Sequence, residues 1–160
     1  MDIYEHLKNN FHLFKKQEYS TCSLSVEDKN ILCEIGLPEL PLDFIHFDVK
    51  DIENIIYEEY VIIGGDNGTY ICINEKGNIV SVDPKQEYPT RFVNVNLESL
   101  LKFIVVFWEY RDVIINADDE ELYTIIKQIR YKFDSIDIQA LSDEENWWVI
   151  ILEQIEQGLM

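Results

Sequence analysis

The residue types best suited to nucleophilic catalysis or metal binding are few and scattered in this sequence. They are three cysteines and three histidines: Cys22, Cys33, Cys72, His6, His12 and His46. No CxxC pair is present and the histidines are distant from the cysteines in sequence, so the pattern is neither a disulfide framework nor a zinc signature. His6 and His12 would lie on different faces of a predicted helix, which gives little support for a Cys-His or Ser-His pair. His46 and Cys72 lie inside strand patterns and are interpreted as structural residues.

Longer catalytic motifs are not found either. The sequence has no GxGxxG after a strand, no Walker-type Gly-Lys-Ser/Thr, no GxSxG and no HExxH. Asp66-Asn67-Gly68 lacks the alternating acids and distal Glu of a calcium loop and is interpreted as a hairpin turn. The acids from Asp118 to Glu121 are interpreted as a helix start. We therefore predict no enzyme, no metal site and no cofactor; a small hydrolase or deaminase would need a His- or Cys-centred pocket.

Charge is the most informative bulk property. The chain has 31 acidic residues against 13 Lys and Arg, a formal net charge of -18. Such a field repels nucleic acid and anionic lipid and favours a basic protein partner. Basic patches with interleaved aromatic residues, which would indicate nucleic-acid binding, are missing. An acidic surface that serves only solubility remains the alternative, because charge alone does not identify a partner.

The length of 160 residues predicts a single domain with its own core. We find no linker, low-complexity tract or internal repeat. Residues 1–6 lack a basic region followed by an apolar run, so no signal peptide is predicted. The most apolar stretch, residues 97–115, is interrupted by charged residues and is not interpreted as a membrane span. The cytosol is the expected compartment.

The elements that must position any binding residue centre on an antiparallel meander. Three runs rich in Val, Ile and Tyr, bounded by Gly, Asn and Asp, predict short strands at Tyr60–Ile63, Thr69–Ile73 and Asn78–Val82. Connections this short require antiparallel neighbours. Further extended segments are predicted at residues 44–47 and 91–96. Residues 49–59 are ambiguous and favour a short helical turn followed by the first meander strand.

Helices are predicted on both sides of the meander in sequence. Apolar periodicity indicates helices at residues 2–16, from Ser25 to Gly36, and from residue 97 to about residue 111 behind an Asn96 cap. The last of these is the expected lid across the sheet. Asp118 caps the next helix, and Ser142 with Glu145 predicts a capping box before the C-terminal helix. The prediction is an α+β domain, with N-terminal helices (1–35), a small mostly antiparallel sheet (36–96) and helices (97–158).

Trp147 and Trp148 are the remaining candidates for a binding role. Adjacent helical positions lie about 100° apart, so one ring can face the core while the other reaches the rim. Packing of both rings in the core is the favoured interpretation, and a contribution to a binding surface is the alternative.

The order of several short segments resembles the SUKH superfamily. These segments are 36–38 (GLP), 60–64 (YVIIG), 70–73 (YICI), 77–80 (GNIV), 92–103 (FVNVNLESLLKF), and 137–140 (DIQA) before residues 147–158. The resemblance covers roughly residues 36–158 and implies an α+β fold with a central, mostly antiparallel sheet and a protein-binding groove. It implies no catalytic residues. Gly64 and Gly77 match turn positions, and Asn94 and Asn96 match a polar step before a helix, so structural roles are expected for them.

Members of that superfamily include bacterial immunity proteins that neutralise polymorphic toxins, often nucleases or deaminases, and a fungal branch that regulates cell-wall synthesis. The resemblance and the charge together predict a cytosolic immunity protein that binds a basic toxin domain. The alternative is a housekeeping scaffold or regulatory module without a toxin partner. Acids around aromatic anchors are the predicted binding residues: Glu58, Glu59, Tyr60, Asp66, Tyr70, Glu144, Glu145 and Trp148. The oligomeric state is left open.

Overall fold

The structure is a computed structural model that describes residues 2–40 and 42–159. Its helices are α1 (Ile3–Asn10), α2 (Val26–Lys29), α3 (Leu97–Asn116), α4 (Asp119–Ile136) and α5 (Trp147–Glu156). Its strands are β1 (Leu13–Phe14), β2 (Leu37–Pro38), β3 (Ile56–Tyr57), β4 (Tyr60–Gly65), β5 (Tyr70–Ile73), β6 (Ile79–Val82) and β7 (Arg91–Asn94). Short 3₁₀ helices cover Gln17–Thr21 and Ile138–Leu141. The predicted α+β class is confirmed.

The predicted meander is the main sheet. Its strands follow the order β3-β4-β5-β6-β7, and every neighbouring pair is antiparallel. The turns contain Gly68 at φ 102° and Gly77 at φ 82°, backbone angles that favour glycine. β4 continues to Gly65, so Gly64 lies inside a strand and not in the predicted turn. A β-carbon on Gly64 would collide with the backbone oxygen of His46, which explains a glycine at this position.

The chain crosses the β4 edge of the sheet at His46. The backbone N–H and C=O of His46 exchange two hydrogen bonds of 2.9 Å with Gly65, forming an isolated bridge. The strand predicted at residues 44–47 is therefore wrong beyond this one residue. Phe44, Ile45 and Phe47 are instead buried in the main core, and the pairing with β4 is confined to His46.

The two faces of the sheet have different environments. Alternate residues along a strand point to opposite faces. One face packs in the main core with the long helices; its residues are Val61, Ile63, Ile71, Ile73, Ile79 and Val93. The other face carries a second, smaller cluster formed by Val49, Ile62, Cys72, Val80 and Val82. Partly buried residues cover this second cluster, among them Tyr57, Tyr60 and Tyr70.

Helix starts were predicted more accurately than helix ends. The caps at Ser25, Asn96 and Asp118 are confirmed: each side chain accepts a hydrogen bond from the backbone N–H three residues later. α3 packs against β7 and α4 and extends five residues beyond the predicted end at 111, to Asn116. The helix that starts at Ser25 widens into a π-helix at Asn30–Ile35 and stops at Gly36, where φ is 100°.

Two helix predictions were wrong. The first helix ends at Asn10 and not at Lys16, because Leu13 and Phe14 pair with β2. The capping box of Ser142 and Glu145 does not form, since the Ser142 hydroxyl donates to the Gln139 carbonyl. α5 instead begins after Asn146, whose side-chain amide donates to the same carbonyl at 3.0 Å.

Candidate protein-binding surface

A buried hydrogen-bonded group joins β7 to the C-terminal helices. The Trp148 indole N–H donates to Asn94 Oδ1 at 2.9 Å, and the Asn94 amide donates to Asp137 Oδ2 at 3.1 Å. The same Asp137 oxygen accepts the backbone N–H of Val95 at 2.8 Å. We call Asn94, Asp137 and Trp148 the buried clasp. Buried polar groups without partners are costly, so a fully paired clasp fixes the position of α5 against the sheet.

Trp148 is therefore a core residue and not the surface anchor predicted from the sequence. Its side chain is 0% exposed. Its ring contacts those of Phe103 and Phe133 at centroid distances of 5.6 and 5.1 Å. Trp147 is also buried, at 3% exposure, so neither ring of the pair reaches the rim. The physical reason is that the apolar face of α5 is broad enough to bury both positions.

Asp66 has a structural role at one end of the sheet. One carboxylate oxygen accepts the backbone N–H and the hydroxyl of Thr69 within the β4–β5 turn. The other accepts the Trp147 indole N–H at 2.7 Å. The residues around this contact line a cavity of about 210 Å³ that includes Ser81 and Arg91. Most hydrogen-bonding capacity of the Asp66 carboxylate is thus used inside the protein.

Glu144 and Glu145 lie in the loop before α5. The Glu145 carboxylate pairs with Arg91 at 2.8 Å, and Arg91 also donates to the Glu145 backbone oxygen at 2.9 Å. Glu144 is exposed. Asp66 lines the cavity of about 210 Å³ directly, whereas Glu145 is connected to it through Arg91, which also lines it.

Three tyrosines cluster on the second face of the sheet. Tyr57, Tyr60 and Tyr70 are half-buried and pack against its small cluster. The rings of Tyr57 and Tyr70 meet edge to face with a centroid distance of 5.9 Å. We call these three residues the tyrosine face. Burial, followed by the nearby Glu59 carboxylate, raises the pKa of Tyr60. The Tyr60 hydroxyl therefore keeps its proton at neutral pH and can serve as an uncharged, amphipathic contact.

Glu58 and Glu59 form the turn beside the tyrosine face. They connect Tyr57 directly to Tyr60, and both are exposed. Glu58 has φ 53°, a left-handed angle that costs a non-glycine residue about 1 kcal/mol. The structure thus brings together four of the predicted binding residues, Glu58, Glu59, Tyr60 and Tyr70. It adds Tyr57, which was not predicted because the pattern of residues 49–59 is ambiguous. The two tyrosines that flank the two-residue turn, Tyr57 and Tyr60, could have indicated the hairpin.

The β4 edge of the sheet is closed to an added strand. The hydroxyl of Tyr19 donates to the Ile62 backbone oxygen at 2.6 Å, between the His46 bridge and β3. Burial raises the pKa of Tyr19, so this donor keeps its proton in neutral and mildly alkaline solution. β3 is only two residues long, and the Asn54 side chain accepts the N–H of Ile56 at 2.9 Å. A partner is therefore expected to contact side chains on the face and not backbone groups at this edge.

The three cysteines are poorly placed for nucleophilic catalysis. Cys22, Cys33 and Cys72 are buried, and burial raises the pKa of Cys72 to about 12. A thiol held protonated in this way is a poor nucleophile. Across residues 2–40 and 42–159, no His, Cys, Asp and Glu side chains group in a way that could hold a metal ion. In the same residues, no helix is both long and apolar enough to cross a membrane.

Comparison with known protein families identifies the family. The model of the SUKH-4 immunity protein family matches residues 9–154, which is most of the chain. The chain belongs to the SUKH-4 immunity protein family. Membership of this family supports a toxin-immunity role and implies a cognate toxin as partner. Immunity proteins of this kind are typically not enzymes. The chain matches no curated protein and no solved structure.

Proposed function

We propose that this protein is a cytosolic immunity protein that binds and neutralises a basic toxin domain of the nuclease or deaminase type. The match to the SUKH-4 immunity protein family carries this proposal. The net charge of -18 supports a basic partner, because opposite charges steer association and raise its rate. A toxin whose substrate is anionic needs a basic active site, and an acidic protein can cover such a site.

The tyrosine face with Glu58 and Glu59 is the proposed contact surface. Half-buried tyrosines lose little conformational freedom on binding and offer both an apolar ring and a hydroxyl, which makes them effective anchors. The two exposed carboxylates beside them supply the charge that a basic partner requires. Closure of the β4 edge by Tyr19 and His46 favours contact through these side chains.

Asp66, Glu144 and Glu145 have a smaller role in this proposal. Two of these carboxylates already have partners inside the protein, Trp147 for Asp66 and Arg91 for Glu145. If these two carboxylates left those partners to contact the toxin, the lost internal bonds would offset part of the binding free energy. We assign these three acids to long-range attraction only, and assign Trp148 no contact with the toxin because it is buried.

Co-expression with a candidate toxin from a neighbouring gene tests the function. The immunity protein is expected to restore growth of cells that express the toxin and to copurify with it. Absence of both rescue and a complex would refute the proposal. A constant endogenous partner recovered from cells that lack the toxin gene would instead favour the scaffold or regulatory module.

Charge reversal tests the contact surface. Glu58→Lys with Glu59→Lys is expected to lower toxin affinity by about 100-fold, because it places positive charge against a basic surface. Glu144→Lys is the matched control, since it reverses one exposed acid outside the tyrosine face. Surface plasmon resonance at several salt concentrations measures both. Equal effects per charge at the two places would show that the field of the whole protein, and not this face, determines binding.

A further inference from the structure

The loop between β6 and β7, residues 83–90, is held by one buried side chain at its start. Asp83 is 7% exposed. Its Oδ1 accepts the backbone N–H of Lys85 at 2.9 Å, and its Oδ2 accepts those of Glu87 and Tyr88 at 3.0 and 3.1 Å. These bonds, that from Lys85 first, lower the pKa of Asp83, so the acceptor is ionised at neutral pH. Hydrogen bonds to an ionised acceptor are stronger than neutral ones, and three of them fix the path of this loop, which we call the β6–β7 loop.

The backbone of the β6–β7 loop is restricted in further ways. Pro84 and Pro89 each fix one backbone angle, and Pro89 also keeps the preceding residue, Tyr88, out of helical angles. Gln86 has φ 59°, a left-handed angle that a non-glycine residue keeps only where the surrounding contacts impose it. Its N–H donates to the Asp83 backbone oxygen at 3.1 Å. Residues 85–90 are nevertheless exposed, so the loop is ordered by polar contacts and not by burial in a core.

Both ends of the β6–β7 loop lie beside the tyrosine face. Val82, the residue before the loop, pairs with Tyr70 in the β5–β6 ladder. Burial raises the pKa of Tyr60, and Thr90, the last residue of the loop, interacts with the Tyr60 side chain and offsets part of this rise. A standard interface buries about 800 Å² on each partner, which corresponds to a patch about 30 Å across. A toxin centred on Tyr60 therefore also covers this loop.

We propose that Asp83 is a positioning residue that holds the β6–β7 loop as part of the toxin contact, with Tyr88 as its anchor. Tyr88 is 63% exposed, and its backbone N–H is one of the three that Asp83 accepts. It lies two residues before Thr90, at most about 7 Å along the chain. It also lines the cavity beside Asp66, so the loop spans the end of the sheet between the tyrosine face and that cavity. A large ring on a rigid loop gains contact area with little loss of conformational freedom.

Amide hydrogen exchange, measured by NMR on the free protein, tests the positioning role without a toxin. Asp83→Asn keeps the size of the side chain but can accept hydrogen bonds at only one of the two oxygen positions. At least one of the N–H groups of Lys85, Glu87 and Tyr88 should therefore exchange about 10-fold faster or more in this variant. Tyr88→Ala leaves Asp83 in place and should not change exchange at Lys85 or Glu87. Equal exchange rates in Asp83→Asn and the wild type would overturn the positioning role.

Affinity for the toxin domain that copurifies in the co-expression experiment tests the contact. Tyr88→Ala and Asp83→Asn are each expected to weaken binding about 10-fold. The double variant should bind about as weakly as Tyr88→Ala alone, because Asp83 acts through Tyr88, whereas a general loss of structure would multiply the two effects. Gln86→Ala is the matched control, since Gln86 is exposed in the same loop and is assigned no contact, and it should bind like the wild type. Circular dichroism melts establish that each variant is folded at the assay temperature.

This inference rests on the proposed function, and the outcomes separate the two. A wild-type chain that neither rescues cells nor binds a toxin refutes the proposed function and this inference with it. A wild-type chain that binds the toxin, together with a Tyr88→Ala variant that binds equally tightly, overturns this inference alone. Multiplied effects in the double variant also overturn it, because Asp83 would then have only a general structural role.

Discussion

The buried clasp and the tyrosine face lie on one sheet but use polar side chains in opposite ways. In the clasp, Asn94 is 0% exposed and Asp137 5% exposed, and both are fully engaged with protein partners. Beside the tyrosine face, Glu58 and Glu59 extend into solvent. The clasp residues belong to segments that resemble the superfamily, whereas the two glutamates do not. We therefore propose that the shared segments maintain the fold and that the exposed turn determines which partner binds.

The largest expected effect comes from removing the tryptophan of the clasp. Trp148→Ala should lower the free energy of unfolding by about 3–5 kcal/mol, because it leaves a cavity among aromatic rings and an unpaired Asn94 oxygen. Urea denaturation measures this. Tyr88→Ala, at a side chain that is 63% exposed, is the control and should change stability by less than about 0.5 kcal/mol. Similar losses for the two variants would contradict the assignment of Trp148 to the core.

Removal of the clasp carboxylate should have the next largest effect. Asp137→Ala leaves the Asn94 amide and the Val95 N–H without their acceptor, and this should cost about 2–3 kcal/mol. Asp143→Ala is a suitable control, because Asp143 is exposed and bonds only within its own turn. Equal unfolding midpoints for Asp137→Ala and the wild type would show that the clasp contributes no stability.

A substitution on the tyrosine face should affect toxin binding more than stability, in contrast to the clasp variants. Tyr70→Ala is expected to lower toxin affinity by about 10–100-fold while costing less stability than either clasp variant, because the ring is only half-buried. Isothermal titration calorimetry and urea denaturation together measure the two quantities. Unchanged affinity would remove the tyrosine face from the proposed toxin contact.

The smallest expected change in stability comes from Glu58→Gly, which should separate stability from toxin binding. Glu58→Gly relieves the left-handed backbone angle and should raise stability by about 0.5–1 kcal/mol, yet it should weaken toxin binding. Gln86→Gly is the matched control, since Gln86 has φ 59° in another loop. It should gain similar stability with no loss of affinity. A Glu58→Gly variant that binds as tightly as the wild type would show that Glu58 is not part of the contact.

Local signals in the sequence predicted much of the fold. The meander follows from strand patterns and short turns, and the caps at Ser25, Asn96 and Asp118 follow from side chains that bond three residues away. Such patterns act over a few residues, and the sequence contains all the information they need. The α+β class could therefore be predicted without knowledge of any distant contact.

Long-range pairings were not predictable in the same way. Asp66 bonds to Trp147 across 81 positions, and Asn94 bonds to Asp137 across 43. No periodicity encodes such a pair, so the sequence predicts a binding role for Asp66 although most of its hydrogen-bonding capacity is used internally. Trp148 was misassigned for a related reason, since the sequence shows that α5 is apolar but not how much of it the sheet covers.

The hydroxyl of Tyr19 on the Ile62 carbonyl also has a consequence for behaviour at high concentration. An unpaired strand edge is a template for intermolecular pairing, and sheets that expose one are prone to amyloid-like aggregation. Tyr19, His46 and Asn54 remove that template along β4 and β3 with contacts from outside the meander. Together with repulsion between acidic copies, this closure is expected to limit templated aggregation of the native protein at this edge.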